Sequence, residues 1–207
     1  LAAIHDDVPM VTLGYRPNRD LVTRITTQDR KGSYLATRHL LDLGHRRIGV
    51  IAGMEGRFDV KDRVAGYRKA VRETGLELNP DLIEYADWTL EGANDAMGRL
   101  LSREKITAVV VQSDLMAFGC LSALYERDIL VPRDMSIVGF DNIDIGRYII
   151  PPLTTVDNMI FETGRRAIQI LTEAIGGKKP SADVLKLPTK LIVRGSTASP
   201  SGRLIDG

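Results

Sequence analysis

Three apolar stretches in this 207-residue chain each run directly into polar groups. "SIVGF" (136–140) stops at Asp141, "AVVVQ" (108–112) stops at Ser113 and Asp114, and "IGVIAG" (48–53) is followed by Asp59 and Arg63. A strand that is apolar throughout is covered on both faces, so a carboxylate placed just past its last residue emerges where the chain leaves the core. Taken singly, each group has an ordinary explanation. Asp114, or Ser113 just before it, stands where a helix N-cap belongs, and Asp59 where a solvated loop residue belongs. Taken together, three strand ends deliver polar groups to one rim, the place where open α/β sheets hold their ligands.

Catalytic and nucleotide-binding patterns are absent. There is no G-x-G-x-x-G after the first strand, no G-x-x-x-x-G-K-[ST], no G-x-S-x-G and no H-E-x-x-H. His39 lies within a helical pattern and His45 follows its glycine stop, while Asp6 and Asp7 are adjacent loop acids with poor geometry for acid–base work. "GMEGRFD" is rich in glycine without the spacing of a phosphate loop. Cys120 is the only cysteine, which excludes an internal disulfide and a cysteine metal cluster and fits a reducing compartment. The residues read as a binder with no metal and no cofactor; an enzyme using a lone Asp as base is the alternative.

The elements that must position these groups alternate. Strand patterns at 8–15, 46–53, 107–112, 135–140 and 189–194, with a weaker one at 82–85, are separated by amphipathic helices. The first helix opens at Asp29 and stops at Gly44, the second covers 63–75, and others begin at Leu90, at Asp114 and at Ile160. Apolar strands separated by helices predict an α/β fold with doubly wound parallel sheets. After the last strand, "ASPSGRLIDG" (198–207) has too few apolar groups to pack and reads as a flexible tail. Basic and acidic residues nearly cancel, 28 against 27, so no basic stripe marks a nucleic-acid surface, and no apolar run reaches membrane-spanning length.

"HLLDLGHRRIGVIAG", "RVAGYRKAV", "AVVVQSDLMAFGCLSALYERDILVPRDMSIVGFDN", "PPLTTV" with "ETGRRAIQIL", and "LIVRGST" occur in this order between His39 and Thr197, within a match that runs from about Val8. As an ordered set they resemble the effector-binding domain of lactose-repressor/galactose-repressor-type transcription regulators. The resemblance implies two lobes of periplasmic-binding-protein-like type. Residues 1–27 and 157–185 would belong to an incomplete N-terminal lobe, and 28–156 with 186–197 to a C-terminal lobe. It also implies a cytoplasmic homodimer that reaches operator DNA through an N-terminal helix-turn-helix absent from this sequence.

Carried over residue by residue, the resemblance places effector contacts at Arg63 and Asp141, whose donors and acceptors suit the hydroxyls of a sugar-like molecule. It places an aromatic that stacks on the ligand at Trp88, and further polar contacts at Asp59, Ser113 and Asn158. Asp114 becomes the cap of the following helix, and Leu115, Phe118, Tyr148 and Ile149 the dimer contact. Ser113 stands where the family has Asn, and Gly195 where it has Glu, so no particular ligand carries over. An exported solute-binding protein that feeds a sugar transporter shares the fold and is the alternative reading.

Overall fold

The computed structural model describes residues 8–14, 22–178 and 184–201. Its chain divides into two units, residues 1–28 with 159–188 and residues 29–158 with 189–207. In the first unit, strands β1 (Val11–Leu13), β2 (Thr23–Thr27) and β8 (Val184–Leu187) form a parallel sheet in the order β1-β2-β8. Ile25 and Leu187 meet Ala167 of helix α5 (Ile160–Ile175) in a small core. Ala167 is the one buried residue of α5, and Ile160, Phe161, Ile168 and Ile175 stay exposed. Tyr15 of the expected first strand lies outside the described residues.

The second unit carries a six-stranded sheet in the order β4-β3-β5-β6-β7-β9, from β3 (Ile48–Ala52), β4 (Ile83–Tyr85), β5 (Ala108–Val111), β6 (Ser136–Phe140), β7 (Thr154–Asp157) and β9 (Lys190–Ile192). The first five run parallel, and β9 pairs with β7 antiparallel. The central strands β3 and β5 are apolar at every position because alternate residues feed two separate cores. Val109 and Val111 join one core with helices α3 (Leu90–Arg103) and α4 (Asp114–Tyr125). Ala108 and Val110 join the other with α1 (Asp29–Asp42) and α2 (Phe58–Arg72).

Two expectations change. Helix α2 begins at Phe58, five residues earlier than its apolar spacing suggests, so Asp59 lies in a first helical turn and not in a loop. The segment from Ala198 is not loose where it is described. The Ala198 N–H donates to Ser136 Oγ over 3.0 Å, and its carbonyl is 2.9 Å from His45 Nε2. Residues 202–207 of the expected tail lie outside the described residues. No described helix is long and apolar enough to cross a membrane.

Candidate functional site

Strand order reverses at β3, which has β4 on one side and β5 on the other. The loops leaving β3 and β5 therefore diverge and open a crevice at their carboxyl ends. There Arg57, Asp59, Arg63, Trp88 and Asp141 line an open cleft of about 250 Å³. That is below the roughly 300–1,000 Å³ of sites for drug-sized molecules and suits a small ligand.

Arg63 is the centre of the arrangement. Only 7% of it is exposed, because α2 directs it across the sheet end. Its Nε donates to Asp29 Oδ1 over 2.8 Å, and Nη1 donates to the carbonyl of Gln112 at the end of β5. The guanidinium lies over the Phe140 ring at 3.8 Å and near Trp88 at 5.8 Å. A buried cation held by a carboxylate, a carbonyl and an aromatic face has a fixed position, which a recognition site requires. Asp29, where α1 opens, thus serves as this cation's counter-charge.

Asp141 faces the same cleft from the end of β6. Its Oδ1 accepts from Asn158 Nδ2 at 2.8 Å, while Oδ2 has no hydrogen-bond partner among the described residues. Burial pushes the carboxyl up to about 7. Arg63 and the Asn158 amide oppose that rise, and the Asp114 and Asp29 carboxylates add to it. Asn158 itself is buried, and its Oδ1 has no partner among the described residues. An acceptor and a donor-hungry amide are therefore available beside the fixed cation.

Arg57 was not anticipated from the sequence. It grips Asp59 with two parallel bonds, Nε to Oδ1 and Nη2 to Oδ2, each 3.0 Å. Burial raises the Asp59 carboxyl, but Arg57 and Arg63 more than offset this and hold it below its ordinary value. Arg57 also sits 5.8 Å over Trp88. A side chain at Gly53 would meet that ring at 2.0 Å, so the glycine is what lets the indole lie against the end of β3.

Asp141, Arg63, Trp88 and Asp59 thus share one cleft, and Asn158 joins through its bond to Asp141. Ser113 has a different place. Its hydroxyl accepts from the N–H of Met116 at 3.3 Å, so Ser113 and not Asp114 caps α4. Asp114 begins the helix fully buried, and its carboxylate accepts from the Thr155 hydroxyl at 2.5 Å and the Ile143 N–H at 2.9 Å. The capping geometry needs an extended residue, which Ser113 is at φ −157°, whereas Asp114 is already part of the helix. Of the expected dimer contacts, Leu115 and Tyr148 are exposed, while Phe118 and Ile149 are partly buried against the α3–α4 core.

A second cleft of about 210 Å³ lies at the start of β4, between Tyr67, Arg68, Arg72 and Ile83. Its arginines are solvent-exposed, and no unpaired buried polar atom adjoins it among the described residues. No group of three or more His, Cys, Asp or Glu among the described residues could hold a metal ion.

The family model for the periplasmic binding protein-like domain matches residues 37–197. An HTH-type transcriptional repressor PurR of Pasteurella multocida is 36% identical over 200 residues, covering 96% of this chain and 60% of the relative. This chain therefore spans about six tenths of that relative's length. A solved LacI family transcriptional regulator from Enterococcus faecium, with bound ribose, is 30% identical with a TM-score of 0.84, covering 92% of this chain and 71% of that one. A regulator of the LacI family from Sanguibacter keddieii is 33% identical with a TM-score of 0.85, covering 92% and 74%. With the cleft at the switch point of a doubly wound sheet and these likenesses along nearly its whole described length, the chain belongs to the LacI family of transcriptional regulators through its periplasmic binding protein-like domain.

Proposed function

We propose that this chain is the effector-sensing part of a cytoplasmic DNA-binding transcriptional regulator. A small hydroxylated metabolite of the sugar type binds against the rim of the second unit. The observation that carries this reading is the buried guanidinium of Arg63 facing the same cleft as the Asp141 carboxylate, with Trp88 as the flat apolar wall. Adjacent hydroxyls donate to the carboxylate and accept from a guanidinium, and a pyranose or furanose ring lies on an indole face. Ligand affinity that differs between two conformations of the regulator then changes operator binding. The E. faecium neighbour holds ribose, and both named solved neighbours are regulators, which favours this reading over an exported transport protein.

The test is a thermal-shift panel of sugars, sugar phosphates and nucleobases, since a ligand that binds only the folded state raises its melting point. At least one hydroxylated neutral member is expected to do so. In calorimetry, Arg63→Ala and Asp141→Ala are each expected to weaken that ligand tenfold or more, about 1.4 kcal/mol. Unchanged binding in both variants would remove the site assignment.

A further inference from the structure

The loop that carries Asp141 adopts a backbone that its residues do not favour. Asp141 has φ 115° and Asn142 has φ 57°, both in territory that L side chains rarely occupy. Something in the surroundings must hold it there.

Two side chains that do not line the cleft do the holding. The guanidinium of Arg194, two residues past β9, donates through Nη2 to Asn142 Oδ1 at 2.6 Å and through Nη1 to the carbonyl of Leu153 at 2.7 Å. Its own N–H donates to Thr154 Oγ1 at 2.9 Å, which fixes the arginine to the start of β7. From beneath, Asp114 accepts the Ile143 N–H, and the Thr155 hydroxyl bridges the Asn142 N–H at 3.4 Å to Asp114 Oδ1 at 2.5 Å. A side chain at Gly139 would meet Asp114 Oδ1 at 2.2 Å, so this strand position leaves room for the carboxylate and nothing larger.

We propose that Arg194, together with Asp114, is a positioning residue for the effector site: it clamps Asn142 from outside the cleft, and the clamp aims Asp141 at the ligand. The inference rests on the reading of Asp141 as an effector-facing carboxylate and adds a residue that acts through it. Arginine suits the task because its planar fork reaches two acceptors at once, which an ammonium on a flexible stem does not do. Its action on Asp141 is geometric. The charge of Arg194 bears on Asp114, whereas Asp141 feels the charges of Arg63, Asp114 and Asp29.

The test uses the proton as the probe and needs no effector. The carboxyl carbon of Asp141, assigned by its disappearance in Asp141→Asn, is followed by NMR across a pH titration of the 207-residue chain. In the wild-type protein its midpoint is expected at about 7. Arg194→Lys keeps the charge and loses the fork. The loop then opens to water, and the midpoint is expected to fall by a unit or more, a tenfold or larger loss of proton affinity. Asn142→Ala breaks the same bond from its other end and is expected to give the same fall. The double variant should go no further than the larger single effect. A midpoint within a few tenths of wild type in either single variant, effects that add in the double variant, or a wild-type midpoint already in the ordinary carboxylate range would each overturn the clamp. Failure of the effector reading shows separately, as ligand binding unaltered by Asp141→Asn.

Discussion

Asp141 lies among charges of its own sign, and the consequence can be read in stability. Burial first, then the Asp114 and Asp29 carboxylates, hold its proton on until about pH 7, although Arg63 works against them. In the unfolded chain the same group ionises near its ordinary value of about 3.9. Between those two values the folded protein therefore keeps a proton that the unfolded chain has released. The contribution is present below the lower value and is lost as pH rises through about 7. Asp141→Asn removes it. The wild-type melting temperature is expected to fall more steeply than that of Asp141→Asn as pH rises from acid to neutral. Parallel curves in thermal denaturation across that range would contradict this. His45, which burial moves to lower values, acts in the opposite sense but equally in both proteins, so it cancels from the difference. At this scale the sequence was informative where an apolar strand ended on a charge. It was silent on Arg57, because the pairing with Asp59 exists only once α2 starts at Phe58, and nothing in "GRFD" announces that start.

Elements, not single residues, decide whether the rim exists. Helices α1 and α2 cross so closely that a side chain at Gly66 would meet the backbone oxygen of Arg30 at 2.1 Å. This contact keeps Asp29 on α1 within reach of Arg63 on α2. Gly66→Ala gains about 1 kcal/mol of helix propensity. It also forces two backbones apart, and overpacking of that kind costs about 1–3 kcal/mol. The net is expected to be a loss of about 1 kcal/mol in urea unfolding, by that balance of terms. A neutral or stabilised variant would show that the helices separate freely. The long apolar strands and glycine-stopped helices were legible because the two-sided core makes every position of β3 and β5 apolar. β2, "TRITT", and β8, "VLKL", were not read as strands, since each is short and bears polar or charged residues. Nor does sequence alone reveal that β9 runs against β7, because pairing direction leaves no mark on three residues.

The whole molecule poses the question of partners. Leu115 is 43% exposed and Tyr148 79% exposed, both on the second unit beside the partly buried Phe118 and Ile149. A regulator that meets a two-fold operator holds two heads at a fixed spacing, and we propose that this patch joins two copies. Sedimentation is expected to show a dimer that Tyr148→Asp shifts towards monomer; a monomer at all concentrations would exclude the patch. The cleft carries its own reporter. Trp88 is the only tryptophan of the chain and forms one wall of that cleft, so its fluorescence reports the site without a label. Titration with any ligand found to raise the melting point should give a saturable change in emission in the wild-type protein and little or none in Arg63→Ala and Asp141→Ala. A ligand that stabilises the protein while leaving Trp88 emission unchanged, or that binds both variants as tightly as wild type, would place the effector elsewhere.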